Sequence, residues 1–408
     1  MKTLLSTTVI RYLRLLAKLQ LAKIQLLQQL KHKKLIIVGI TGSAGKTSCL
    51  FACQAALTPE FRVHTNYTGG NSETGIPLGI LGLKTQDYTP LDWLRILLLA
   101  PLKILTNWHP YDILLLEMGI DSHQSPKNMA YLLTIVKPQI GIFLNVTSVH
   151  LQNFPSLTAI ALEKAKLINS LPSTGTAIIN IDDPLVRQST QITIAKKIPI
   201  KPIHIPIPNH ILPPIYNLTL GAAINLAQVL QIDPNTAIHN ISANFHLPPG
   251  RSSLFKGIKQ SQIIDSSYNS SPLACQEMLS LLKTFPNPRI AILGDMRELG
   301  PATAGEHQKI YQSALKAADQ IISVGQETFK HFGPQATKFL YWWQALEYLQ
   351  QHLPQSSTIL VKGSQNTIFL EELVKGLLAN QSDSSLLCRQ SNYWLTAKHH
   401  FKISHSAV

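Results

Sequence analysis

Residues 38–48 read VGITGSAGKTS, and few backbone arrangements satisfy that string. The run over residues 35–40 is apolar and rich in β-branched side chains, as in a strand covered on both faces within a parallel sheet. Gly42 and Gly45 allow a tight turn that brings backbone N–H groups close to an anion, with Ser43 and Ala44 between them. From Lys46 through Thr47 and Ser48 the pattern becomes helical, so a positive helix end meets whatever the turn holds. This is a phosphate cradle, in which Lys46 reaches the terminal phosphates and the Thr47 hydroxyl ligates Mg²⁺. A strict P-loop also has Gly five residues before Gly45; Ile40 stands there, and the GSAGKTS core remains.

The rest of the chain repeats the strand–helix theme. Apolar strands end in polar residues at Glu117, Asn145 and the Asp182–Asp183 pair, with helical patterns between them. Alternation of this kind predicts a mostly parallel sheet with helices on both faces and ligands gathered at the carboxyl ends of the strands. Residues 196–214 are proline-dense and read as an irregular connection. Beyond LPPGR a second series follows, SQIIDSSYNSSP, RIAILGDMRELG, DQIISVGQ and STILVKGSQN, which predicts a smaller Rossmann-like α/β domain. The fold class is therefore α/β: a P-loop central domain over 35–247 and a C-terminal domain over 248–408. Residues after Leu387 read as a loose basic tail.

At 408 residues the chain exceeds a single core, and with 45% hydrophobic and 14% charged residues it is a folded protein, not a disordered one. The net charge of +14 points to nucleic acid, a membrane surface or an anionic substrate. No recognition motif or basic stripe with interleaved aromatics favours nucleic acid. The four cysteines make no metal-ligand pattern and suit a reducing cytoplasm; Cys49 and Cys53, four apart, are expected to face inward on one helix. Residues 1–34 contain no acid and are leucine-rich, but Arg11, Arg14, Lys18 and Lys23 interrupt them too often for a bilayer span. They predict a basic amphipathic helix, packed on the domain or on a partner chain, or lying peripherally on an anionic inner membrane surface. A second leucine-rich stretch, residues 91–110, is expected to break at Pro101 and either joins that surface or is buried.

In motif order, GITGSAGKTS, NSETGIPLGIL, LLEMGID, NVTSVHLQNFPSL, EKAKLI, IINIDDP, LPPGRSSLF, IIDSSYNSSP, ILGDMRELG and LVKGS resemble the Mur ligases, the ATP-dependent amide-forming enzymes of peptidoglycan synthesis. The likeness covers roughly residues 35–380. It is strongest to the branch that adds D-alanyl-D-alanine to a UDP-muramyl-tripeptide. The resemblance implies a reaction in which ATP converts a carboxylate to an acyl phosphate and an amine, from an amino acid or dipeptide, then displaces phosphate. It also implies ATP and Mg²⁺ as cofactors and assigns roles. Thr47 and Glu117 would ligate one Mg²⁺ and His150 a second, against the plainer readings of Glu117 as a helix cap and His150 as a loop residue. Lys166, matched by motif register, would be carbamylated and bind metal through its carbamate; Lys164 lies two residues away and points elsewhere on the helix. Asn217, Arg251, Asp265, Tyr268 and Asn269 would lie against the nucleotide, although Asp, Ser and Asn also build turns. Asp295, His307 and Lys362 are weaker candidates for the amine side. Because these contacts come from both domains, domain closure is expected to complete the site.

Three departures from the family pattern bear on substrate. Only residues 1–34 stand where the family carries its UDP-sugar domain. Pro213-Pro214 replaces a His-Asn pair, and Gln365 stands where a basic residue is usual. Two other functions share the motifs: a folylpolyglutamate-type ligase, and a P-loop switch without ligase chemistry.

Overall fold

A computed structural model of the chain describes residues 2–67, 70–86, 89–108, 111–147, 153–207, 211–364 and 368–406. The chain forms two compact units. The first comprises residues 1–147, 153–206 and 216–245; the second comprises 148–152, 207–215 and 246–408.

In the first unit, six strands form one parallel sheet: β1 (Ile36–Thr41), β2 (Val63–Thr65), β3 (Ile113–Glu117), β4 (Ile140–Phe143), β5 (Thr176–Ile179) and β6 (Lys196–Pro199), in the order β2-β3-β1-β4-β5-β6. The irregular connection expected over 196–214 thus begins with an edge strand. Edge position suits it, since Pro199 has no N–H to give an outer neighbour. The helices are α1 (Lys2–Leu30), α2 (Lys46–Leu57), α3 (Gly75–Leu81), α4 (Pro90–Thr106), α5 (Met129–Leu133), α6 (Leu157–Asn169), α7 (Pro184–Ser189), α8 (Ile215–Val229) and α9 (Pro234–Asn244). β1 is central, and its tip lies beside Glu117 of β3, with Ile40 opposite Glu117 in the register.

The N-terminal helix is part of this unit. Leu13 and Leu16 of α1 pack with Leu78 and Leu81 of α3 and with Ile96 and Ala100 of α4 in one buried cluster. Contrary to the sequence expectation, Pro101 does not break α4, which continues to Thr106. A proline leaves the carbonyl four residues earlier without its helical partner. That carbonyl, of Leu97, accepts from the Tyr12 hydroxyl of α1 at 3.2 Å. Helix α1 also finishes the other end of α4: Lys23 Nζ donates to the carbonyls of Ile104 and Asn107, and Gln20 Nε2 adds a bond to Asn107 O at 3.3 Å. A cation at a helix C-terminus both satisfies orphan carbonyls and complements the helix dipole.

The second unit has its own six-stranded sheet, β7 (Ser253–Lys256), β8 (Gln262–Ser266), β9 (Arg289–Gly294), β10 (Gln320–Val324), β11 (Ala336–Phe339) and β12 (Thr358–Lys362), ordered β11-β10-β9-β12-β8-β7. It is parallel except for the edge strand β7, which is antiparallel to β8. Its helices are α10 (Pro272–Leu282), α11 (Thr303–Ala317), α12 (Gln326–His331), α13 (Trp342–His352), α14 (Leu370–Leu377) and α15 (Asn392–Ser406). The expected loose tail after Leu387 is instead ordered. Arg389 and Lys398, each 4% exposed, pair with Glu371 at 2.9 Å and Glu372 at 2.8 Å. Buried cations need buried anions, and α14 supplies two at adjacent positions.

Candidate functional site

The cradle forms where β1 hands over to α2. Gly45 sits at φ 80°, a left-handed conformation that disfavours any side chain, and a Cβ there would lie 3.2 Å from Thr219 Cγ2 of α8. The loop is stapled from the tip of β4. Asn145 Oδ1 accepts from the backbone N–H groups of Ser43 at 3.1 Å and Ala44 at 2.8 Å, while its Nδ2 donates to Ala44 O at 3.2 Å. Ser43 Oγ accepts from Thr147 N at 2.9 Å. Lys46 Nζ folds back over the turn to Gly42 O at 2.9 Å and Ser43 O at 3.4 Å, at the position from which it would reach a bound phosphate. Ser48 is buried in the first turn of α2, and Cys49 and Cys53 are fully buried with their sulfurs 3.9 Å apart. The bond to Cys53, together with burial, pushes the Cys49 thiol well up, so Cys49 is inert packing.

Beside the cradle, Thr47 Oγ1 donates to Glu117 Oε2 at 2.8 Å. The other carboxylate oxygen accepts from Asn71 Nδ2 at 2.8 Å, and the Glu117 backbone is held by Asn66, whose Oδ1 accepts from Glu117 N and whose Nδ2 donates to Glu117 O, both at 2.8 Å. Glu117 is thus a strand-end carboxylate braced by two asparagines, and not a helix cap. The chemistry fits Mg²⁺. Neighbouring ligands in an octahedron with bonds of 2.0–2.1 Å lie roughly 2.9 Å apart, close to the Thr47–Glu117 separation. Mg²⁺ at a nucleotide takes few protein ligands, the rest being water and phosphate oxygens. Among the described residues, no group of three or more His, Cys, Asp or Glu side chains is placed to hold a metal ion. His150 lies outside the described residues.

The lysine expectation needs correction. Lys166 does not face the cradle: its side chain is 46% exposed and pairs along α6 with Glu163 at 2.6 Å. Lys164 is the one turned inward. It is 1% exposed, and its Nζ donates to Gly42 O, in the cradle itself, at 3.1 Å. Burial, reinforced by the charge of Lys46, holds the Lys164 amine well below the usual lysine range, against the opposing pull of Asp121 and Glu117. Positions two apart on a helix lie about 200° round its axis, so only one of the two can point in. Spacing along α6 carries the signal: Ile160, Lys164 and Leu167 follow its apolar periodicity and are all buried, whereas Leu162 and Lys166 lie on the outer side.

Asn217 is half-buried in the first turn of α8, and its carbonyl accepts from Ile203 N at 3.0 Å; Thr219, two residues on, is the residue of that helix that approaches Gly45.

In the second unit, the Arg251 guanidinium lies 4.6 Å from the Tyr268 ring centre and Arg389 lies 5.2 Å from it. Asp265 is fully buried at the end of β8. Its Oδ1 accepts from Ser267 N at 3.0 Å, while Oδ2 has no hydrogen-bond partner among the described residues. Burial raises its pKa to about 6. Asn269 is exposed, and its carbonyl accepts from Lys362 Nζ; burial lowers the Lys362 pKa to about 8. These four residues therefore share one loop system with an unpaired buried acceptor. The weaker candidates do other work. Asp295 Oδ1 caps α12 through Thr328 N at 2.8 Å. His307 is 0% exposed, with Nε2 accepting from Met296 N at 3.0 Å and Nδ1 donating to Thr303 O at 2.7 Å, a satisfied core imidazole that burial keeps neutral.

Comparison with known proteins agrees with this architecture. The Mur ligase middle domain family matches residues 40–205, and the Mur ligase glutamate ligase domain family matches residues 250–365. The chain is 25% identical over 388 residues to UDP-N-acetylmuramoyl-tripeptide--D-alanyl-D-alanine ligase of Escherichia coli, covering 84% of this chain and 77% of that protein. It is 27% identical over 295 residues to the Synechocystis enzyme of the same name, covering 67% of this chain and 58% of that protein. The fold superposes on the crystal structure of MurF ligase from Thermotoga maritima in complex with ADP with a TM-score of 0.71 at 20% identity, over 90% of this chain and 83% of that one. With a stapled P-loop, a strand-end carboxylate beside its threonine, and both family domains in order, the chain belongs to the Mur ligase family of ATP-dependent ligases.

Proposed function

We propose that this chain joins an amine to a carboxylate at the expense of ATP, and that its substrates are a muramyl-tripeptide precursor and D-alanyl-D-alanine. The observation that carries the chemistry is the Thr47–Glu117 oxygen pair, 2.8 Å apart, beside a cradle whose Gly42 carbonyl also accepts from the buried Lys164. A substrate carboxylate oxygen attacks the γ-phosphorus and ADP leaves. The amine nitrogen then attacks the acyl carbon, loses a proton, and phosphate departs. Both steps gather negative charge on phosphoryl oxygens, so fixed donors and cations supply most of the acceleration. The cradle N–H groups and Lys46 hold the β and γ phosphates. Thr47 and Glu117 would hold Mg²⁺, which neutralises phosphoryl charge when bound. The Asn66–Asn71 brace keeps the carboxylate aimed.

Lys164, in place of Lys166, is the lysine we assign to carbamylation. Its neutral nitrogen would bond to CO₂ and release a proton, leaving an anionic carbamate near Lys46. A depressed amine pKa favours that reaction because only the neutral form is nucleophilic. In the second unit, Arg251, Asp265, Tyr268 and Asn269 are assigned to the nucleotide; the exposed Asn269 and the Arg251 guanidinium beside the Tyr268 ring support this. Four buried free thiols and the use of ATP support a cytoplasmic setting. The test is an amide-product assay with ATP, Mg²⁺, UDP-muramyl-tripeptide and D-alanyl-D-alanine, with Lys46→Ala as control. Substrate-dependent phosphate release is expected; ATP hydrolysis indifferent to both substrates would point to a nucleotide switch.

A further inference from the structure

Helix α4 turns an uncharged apolar side outward. Leu91, Leu94, Leu98, Leu102 and Leu105 are 77%, 54%, 64%, 52% and 67% exposed, at the spacing of one helix face. Trp108, just past its end, is 57% exposed, and Lys23 Nζ lies 4.6 Å from its ring centre. On α1, Leu15, Leu19 and Leu26 are also at least half exposed, alongside exposed Arg11 and Lys18. A single exposed leucine needs no explanation, but a stripe along a whole helix does. The charge around it is one-sided. Residues 1–34 and α4 together carry ten Lys and Arg against one acid, Asp92, and that acid is buried and held by Arg95 through bonds of 3.1 and 2.7 Å.

We propose that α1 and α4 form a docking surface for an anionic lipid bilayer, the leucines and Trp108 entering the interfacial layer and the basic side chains meeting lipid phosphates. An apolar stripe with basic flanks is the pattern of a helix that lies in the plane of a membrane. No helix among the described residues is long and apolar enough to cross one. Charge also decides against a second copy as the occupant, since face-to-face pairing would set this basic surface against itself. The inference rests on α1 and α4 alone and is independent of the ligase reading.

The test is co-sedimentation of the full chain with phosphatidylglycerol-containing vesicles and with vesicles of phosphatidylcholine alone. Binding to the anionic vesicles, weakened by salt, is the expected result. The triple variant Leu94→Ser, Leu98→Ser, Leu105→Ser removes only outward side chains and is expected to bind at least about ten-fold more weakly. A second variant, Arg11→Glu with Lys18→Glu, is expected to lose anionic binding by a similar factor; circular dichroism and ATP affinity check that both stay folded. Absence of wild-type binding to anionic vesicles, or equal binding to both kinds, overturns the proposal. So does a dimer in solution that the leucine variant dissociates while vesicle binding stays unchanged.

Discussion

Replacing Lys164 and Lys166 one at a time separates the two lysines of α6 by consequence. Lys164 is buried against the cradle, with Nζ 3.1 Å from Gly42 O. Removing a group that bears directly on developing phosphoryl charge in a water-poor site costs about 3–4 kcal/mol, a loss of about 10²–10³-fold in turnover. Stability moves much less. Lys164→Ala removes three buried methylenes, about 2.4 kcal/mol at 0.8 kcal/mol each, but also relieves the burial of an amine that folding disfavours in its charged form. Lys166→Ala removes one partly exposed ion pair within a helix, whose contribution is about 0.3–0.5 kcal/mol. Glu163 keeps its bond from Met129 N at 2.9 Å, so turnover is expected to stay within about two-fold of the wild type. The assay is amide product formation at saturating ATP and Mg²⁺, with and without bicarbonate. Short carboxylates added to Lys164→Ala supply an anion to the vacated space and are expected to restore part of the rate. If Lys166→Ala is the inactive variant and Lys164→Ala the active one, the orientation of α6 described above cannot be the working one.

Three further outcomes are expected. Asn145→Ala strips the acceptor from the Ser43 and Ala44 N–H groups; leaving such donors unpaired costs about 1–3 kcal/mol, so ATP affinity measured by calorimetry should fall about 10–100-fold, and an unchanged affinity would show that the loop holds its own shape. Asp265 has its pKa raised from 3.8 to about 6 by burial. Its stabilising contribution is complete below pH 3.8 and lost as pH rises through about 6, an effect of about 3 kcal/mol. Urea denaturation of Asp265→Asn across that window should show a gain over the wild type that grows with pH; parallel pH profiles would refute the assignment. Arg389→Ala removes one of the two buried cations on Glu371, leaving Lys398 at 3.1 Å, and should lower unfolding free energy by about 1.5–3 kcal/mol, the range of a hydrogen bond to a charged group; a loss below about 0.5 kcal/mol would mean that Lys398 alone satisfies Glu371.

The cradle, its strand and its helix were legible in the sequence because glycine, lysine and hydroxyl positions there answer to local backbone geometry. The parallel sheets were legible because doubly covered strands must be apolar throughout. What the sequence hid depended on distant partners. Pro101 reads as a helix breaker until Tyr12 supplies a donor to Leu97 O. The segment after Leu387 reads as a loose tail until Glu371 and Glu372 meet its cations. Motif register points to Lys166, whereas burial along α6 selects Lys164. The brace of Glu117 by Asn66 and Asn71 left only its residue types visible, since polar side chains after a strand equally suggest a turn.

The debt that α4 owes α1 has a practical side. Tyr12, Gln20 and Lys23 together give four hydrogen bonds to three carbonyls of the later helix and its end, and Leu13 and Leu16 roof the apolar side of α3. A shortened chain starting at β1 would shed more than an accessory: it would bare greasy surface and strand peptide oxygens at once. Such a fragment is expected to clump before its chemistry could be tried, so the two helices have to be kept or discarded as a pair.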